Sequence, residues 1–316
     1  MTGRSNHRRF VGRLALLTGV LFFSAACATL AGIDELEIGA CKGGNCVEDA
    51  GVGERGVDPP LDGPSPVDDG GTLEAATHPC PPNTKGATMV RVGSVANNFC
   101  IDSTEVTVKQ YREFTEATAG DAAGQSAECA WNTTYAAALG GADDIPIAGI
   151  DWCDAKAYCL WAGKRLCGMQ VDDKFAGAVD NDNLINFQQH EWLSACTRQG
   201  QYLYPYGGAA HLPTACNTAE REAGGTVEVG SIPSCTGGYP GIFDMVGNLW
   251  EWFDGPCLPA DAGPDGGDAG GRAKDECVVK GGAYVTSGPQ IDCRVNGRGA
   301  TRDRRGQEIG IRCCAD

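Results

Sequence analysis

Apolar and polar positions change period several times along the chain, and each change predicts an element. Met89-Val-Arg-Val-Gly93 and Phe99 to Val106 carry β-branched and aromatic residues. That content predicts short strands around a turn at Ser94 to Asn98. From Val108 to Ala117 the apolar positions fall at Tyr111, Phe114 and Ala117, a helical spacing. Asp151 to Ala162 predicts the clearest helix, with Trp152, Ala155, Ala157, Cys159, Leu160 and Ala162 on one broad face and Gly163 to end it. A further helix is expected at about Phe187 to Arg198. Gly140 to Asp144 reads as a loop, and everything after Gly200 as short segments between turns. Gly281-Gly282 lies at a strand entry rather than before a helix, which argues against a nucleotide phosphate loop.

Residues 1–27 have a different pattern. Arg4, Arg8, Arg9 and Arg13 give a positive start, and Leu14 to Phe23 is an apolar run too short to span a bilayer as a helix. This predicts an export signal. Ser24-Ala-Ala-Cys27 resembles a bacterial lipobox, with Ser24 where that pattern favours Leu. The expectation is cleavage before Cys27 and lipidation of its sulfur, anchoring the chain to a membrane. A plain small-residue cleavage site is the alternative. Residues 28–79 read as an extended acidic tether: Ala31 to His78 holds eleven acids, two bases, and many Gly and Pro. The globular part is expected over residues 80–316.

Composition narrows the function. The chain has 316 residues and a formal charge of −16, which excludes the basic footprint of nucleic-acid binding. Its 46 Gly predict dominant loops. Seventeen Cys predict an oxidising compartment, here the bacterial cell envelope, and setting Cys27 aside leaves an even sixteen. Plausible local bridges are Cys80–Cys100 and Cys216–Cys235, with Cys257–Cys277 stapling the Asp/Gly-rich insertion 257–277. Only four His are present, and neither His190 nor His211 has a companion at metal spacing.

The most concentrated stretch is Asp244-Met-Val-Gly-Asn-Leu-Trp-Glu-Trp252. Gly247 predicts a turn that a side chain would obstruct, and Asp244 and Glu251 bracket it, so their oxygens could converge on a hard cation such as Ca²⁺. This stretch resembles the GN(V/A)WEW signature of the formylglycine-generating enzyme, or sulfatase-modifying factor, family. Other pieces follow in that family's order: Phe99-Cys-Ile-Asp-Ser-Thr-Glu-Val-Thr107 with Tyr111 and Phe114, Pro146 to Trp152, Ala157 to Leu166, Glu191 to Cys196, Tyr204 to Gly207, Lys280 to Tyr284, and Gly310 to Cys313. The resemblance marks 168–188, with Asp172-Asp-Lys and Asp180-Asn-Asp-Asn, as an insertion.

The resemblance implies an α+β, C-type-lectin-like, loop-rich and disulfide-rich fold with about seven disulfides, including Cys159–Cys313 and Cys196–Cys293, and another partner for Cys314. It implies structural Ca²⁺ held by Asp244, the carbonyls of Gly247 and Leu249, and Glu251, with Asn217 at a second site. It also implies a substrate groove near Trp250, Tyr284 and Arg298. The family's oxidation of a sulfatase Cys to formylglycine uses Cu(I) on two thiolates, a soft-ion preference. Here Thr286 occupies the first thiolate position and no Cys stands near the second, so copper is not expected. The expected function is therefore a non-catalytic, monomeric binding or scaffold module for a peptide, protein or glycan. The alternative is a formylglycine-generating or other protein-modifying oxidoreductase.

Overall fold

The computed structural model describes residues 79–93, 98–135, 139–169, 186–187, 189–255, 257–259, 271–288 and 291–316. The signal, Cys27, the tether and most of both insertions lie outside the described residues.

Strands β1 (Met89–Gly93) and β2 (Asn98–Asp102) form an antiparallel hairpin in which Met89 faces Asp102 and Gly93 faces Asn98. β10 (Cys313–Ala315) pairs with the other edge of β2 and then with β3 (Arg165–Leu166), giving a sheet of order β1-β2-β10-β3. A second four-stranded sheet has the order β8-β7-β6-β9. Its members are β6 (Trp250–Trp252), β7 (Glu276–Lys280), β8 (Asn296–Thr301) and β9 (Ile309–Gly310), and its β6–β9 pair is parallel. β4 (Thr236–Gly237) and β5 (Tyr239–Phe243) make a small hairpin. Few residues are regular, as the glycine content predicts.

Three α-helices are described. α1 (Val108–Thr118) begins at a capping box: Thr107 accepts from the Gln110 backbone N–H, and the Gln110 side chain accepts from Thr107. Its Val108, Tyr111 and Phe114 are buried, whereas Ala117 is exposed. α2 (Trp152–Trp161) uses the same device with Asp151 and Asp154. Its expected face holds at Trp152, Ala155 and Cys159, but Leu160 is 61% exposed. α3 (Glu191–Thr197) is shorter than the expected 187–198. His190 caps it, Nδ1 accepting from the Leu193 N–H at 3.2 Å, and Arg198 and Gln199 turn left-handed at its end.

Two hydrophobic clusters flank the first sheet. One gathers Tyr111, Phe114, Trp152, Tyr158 and Trp252. The other gathers Phe99, Ile101, Trp192, Ile242 and Phe253. Successive strand residues point to opposite faces, and this resolves the adjacent pair on β10. Cys313 reaches Cys159 in the first cluster, and Cys314 reaches Cys167 in the second. The expected bridges Cys80–Cys100, Cys196–Cys293, Cys216–Cys235 and Cys257–Cys277 are all formed. Cys129–Cys153 was not anticipated. Its signal was the cysteines around α2 left without an expected partner, Cys129, Cys153 and Cys167. The fourteen described cysteines are thus all paired in seven disulfides.

Candidate functional site

The 244–252 stretch is the hub. Asp244, Gly247 and Asn248 all adopt left-handed backbone conformations, at φ of 57°, 78° and 56°. Asp and Asn tolerate that region better than other side chains. Gly247 is required twice over, because a Cβ there would approach the Asn217 carbonyl oxygen to 2.5 Å. The turn is tied on three sides. Its Asn248 N–H donates to Asn217 O at 2.7 Å, its Gly247 N–H to Gly281 O at 3.0 Å, and its Asn248 O accepts from the Tyr284 N–H at 3.0 Å. The Asn248 amide is saturated: Nδ2 donates to Glu105 Oε2, and Oδ1 accepts from Asn217 Nδ2 and the Val227 N–H.

The resemblance places Glu251 among calcium ligands, and in the structure the same carboxylate is engaged by protein donors. Arg312, fully buried, reaches the Glu251 carboxylate at 2.9–3.1 Å, and Trp192 Nε1 donates to it at 2.6 Å. Arg312 also donates to the carbonyls of Asp102 and Phe243. Glu251 is therefore the counterion of Arg312. Among the described residues no three His, Cys, Asp or Glu side chains gather as a metal set. Two acceptors at the turn nevertheless stay unsatisfied. Asp244 Oδ2 accepts from the Gly230 N–H at 2.6 Å, but Oδ1 is buried with no partner, and so is Asn217 Oδ1. An unpaired buried acceptor is costly, and a hard cation is one group that would satisfy it. The orphaned oxygens of Asp244 and Asn217 thus fit a hard cation at each of the two expected positions.

Burial dominates the electrostatics. It raises Asp244 to about 6 and pushes Glu105 well above the usual carboxylate range, with Asp244 and Glu251 adding repulsion at Glu105. Three carboxylates thus share one guanidinium.

The other charged residues of the recurring motifs pair with one another too. Lys164 Nζ meets Asp102 Oδ1 at 2.5 Å with both side chains buried. Arg165 forms a two-pronged pair with Glu191, whose carboxylate also accepts from the Gly168 N–H. Sequence reasoning missed this ion network. Its signal was present: each partner sits inside an apolar motif, where an unpaired charge would be costly.

Beyond the turn, β7 ends at Lys280, so Gly281-Gly282 is a strand exit, not an entry. The next segment holds Tyr284, half-buried, Val285, 59% exposed, and Thr286. Thr286 closes a tight turn: its hydroxyl accepts from the Ala283 N–H at 3.0 Å, and its own N–H donates to Ala283 O at 2.8 Å. Its carbonyl accepts from the Ala219 N–H, and the Gly288 N–H donates to Glu220. The segment is thus stitched to residues 219–220 without a thiol. Cys293 is bound to Cys196. Trp250, half-buried on β6, packs beside Gly297, where a Cβ would come within 3.3 Å of its ring. Arg298 lies on β8, and its side chain is outside those described.

Comparison with known proteins agrees with this frame. A family model described as "Sulfatase-modifying factor enzyme 1-like domain" matches residues 69–316. The formylglycine-generating enzyme of Bos taurus is 30% identical over 178 residues, which is 55% of this chain and 44% of that protein. The "Inactive C-alpha-formylglycine-generating enzyme 2" of Bos taurus is 26% identical over 176 residues, 54% of this chain and 50% of that one. The chain thus spans about half the length of the curated relatives it matches. Among solved structures, PvdO from Pseudomonas aeruginosa superposes with a TM-score of 0.46 at 19% identity, over 73% of this chain and 92% of that one. With an α+β, loop-rich, disulfide-rich fold and a family model matching over most of its length, the chain belongs to the sulfatase-modifying factor enzyme 1-like domain family.

Proposed function

We propose that this protein is an exported, Cys27-anchored binding module of the cell envelope, in which a formylglycine-generating-enzyme scaffold holds a peptide or glycan and performs no oxidation. The observation that carries this reading is the state of the sulfurs. All fourteen described cysteines are in disulfides, and Thr286 stands where the resemblance calls for a copper thiolate. A hydroxyl is a poor ligand for a soft ion. The surface beside the turn, with Trp250, Tyr284, exposed Val285 and Arg298, is the binding region of this reading. Arrays of peptides and glycans, probed with the purified chain and with a Tyr284→Ala variant, test it. A ligand held by the parent and lost in the variant is the expected result. Oxidation of a sulfatase-type Cys peptide by the purified chain would overturn it in favour of the oxidoreductase.

Calcium belongs to the same proposal as a structural ion. Asp244, the carbonyls of Gly247 and Leu249, and Glu251 would hold it, and it would supply positive charge to the acidic interior of the turn. Melting the purified chain with calcium and with a chelator is the check. A higher melting temperature with calcium is expected, and identical curves would remove the ion. Metabolic labelling with a fatty acid, lost in Cys27→Ala, tests the anchor.

A further inference from the structure

A cleft of about 480 Å³ opens where α3 ends, lined by Phe187, Leu193, Tyr202, Leu203, Ala209 and Arg294 among others. Its walls are fixed in place. The Cys196–Cys293 bridge ties α3 to the segment carrying Arg294. The Cys293 N–H donates to Leu203 O at 3.0 Å, the Tyr202 N–H to Thr197 O at 2.8 Å, and the Leu203 N–H to Gly208 O at 3.1 Å. The volume is that of a small-molecule site, and the lining mixes apolar Phe187, Leu193, Leu203 and Ala209 with polar Thr197, Gln201, Tyr202 and Arg294.

Among the described residues Arg294 is the only ionised side chain lining the cleft. Asp292, nearly buried, orients it: Arg294 Nη2 donates to Oδ2 at 2.8 Å, and the Arg294 N–H donates to Oδ1 at 2.7 Å. Nη1 donates to no acceptor among the described residues, and the side chain is 55% exposed. A cation therefore lines a part-apolar cleft on a chain of formal charge −16. Asp292 already offsets part of that cation's charge, which favours a singly charged anion over a dianion such as phosphate.

We infer that the cleft binds a carboxylate carried on an aromatic or branched apolar body. The carboxylate sits on Arg294, and the body lies against Phe187, Leu193 and Leu203. The source is either a free small acid or the C-terminal residue of a peptide. The site is separate from the region around Trp250 and Tyr284, neither of which lines it.

Isothermal titration calorimetry on the disulfide-intact full chain tests the inference, with 3-phenylpropionate, its amide, and the peptide Ala-Ala-Phe as probes. Saturable binding of an acid is expected, with the amide about fivefold weaker or more, the loss of one half-exposed charge-assisted pair. R294Q should weaken the acid by the same factor. A209W, at an exposed position, should fill the cleft and abolish binding. Tyr284→Ala should leave it unchanged, which separates this site from the proposed groove. Tighter binding of the peptide assigns the source to a chain terminus, and tighter binding of the free acid to a small molecule. No saturable heat from either acid, equal binding of acid and amide, or binding that survives A209W would overturn the assignment.

Discussion

Two neighbouring stretches of this chain behave in opposite ways. The 244–252 turn is densely bound: its backbone, the Asn248 amide and Glu251 are held by Glu105, α3, the 217–230 loops and Arg312, and Asp244 Oδ1 alone of its carboxylate oxygens lacks a partner among the described residues. The 283–288 loop is bound by its own short turn and by residues 219–220, and it exposes Val285. The turn holds the fold and tolerates few changes. The loop is where the resemblance places chemistry, and its own turn closes through the Thr286 hydroxyl.

The largest expected effect lies on the turn side. Arg312→Met would leave Glu251, Glu105 and Asp244 without their guanidinium, and should cost about 3–5 kcal/mol in denaturant unfolding. Adding Glu251→Gln to that variant should recover part of the loss, because the stranded charge is then removed. A double variant no better than the single one would show that Arg312 acts through packing instead.

The pH dependence comes next. Burial lifts Asp102 and Asp244 to about 6 and Asp154 to about 7, whereas the unfolded carboxyls titrate near the ordinary value. The folded state therefore binds more protons than the unfolded one through this window. Its penalty is fully present above pH 7 and is relieved as pH falls towards about 4. Lys280, lowered by burial to about 7, runs the other way: its penalty is present below that pH and is relieved as pH rises. The melting temperature should be higher at pH 5 than at pH 7.5, worth on the order of 1–2 kcal/mol, and Asp154→Asn should flatten the acid limb. A melting temperature that falls steadily from pH 7.5 to 5 would contradict the assignment of these groups.

The smallest effect belongs to the loop. Thr286→Val removes one half-buried hydroxyl bond and should cost about 1 kcal/mol or less. A loss comparable to that of Arg312→Met would erase the contrast between the two stretches.

Much of the fold was legible because local rules and the ordered motifs agreed. The apolar spacing at Tyr111 and Phe114 and at Trp152, Ala155 and Cys159 announced two helices, and the cysteines at 80, 100, 159 and 313 lay where bridges were expected. What was not legible depended on long-range pairing. Glu251 and Arg312 are 61 positions apart, and nothing local announces their pairing. Cys314 found Cys167 only because β10 lies between two cores. Leu160 sits at a core spacing on α2, yet nothing packs over it. The third helix was overextended because Phe187 sits near it in sequence but packs against Gly200 instead.

The measurement that bears most directly on the central claim is a count of free thiols in the unreduced, purified chain, by mass spectrometry after alkylation, with Cu(I) titrated alongside. The account predicts no alkylated cysteine within residues 79–316 and no tight copper uptake. Two alkylated cysteines in that span, with tight Cu(I) binding, would contradict it and return the chain to the oxidases.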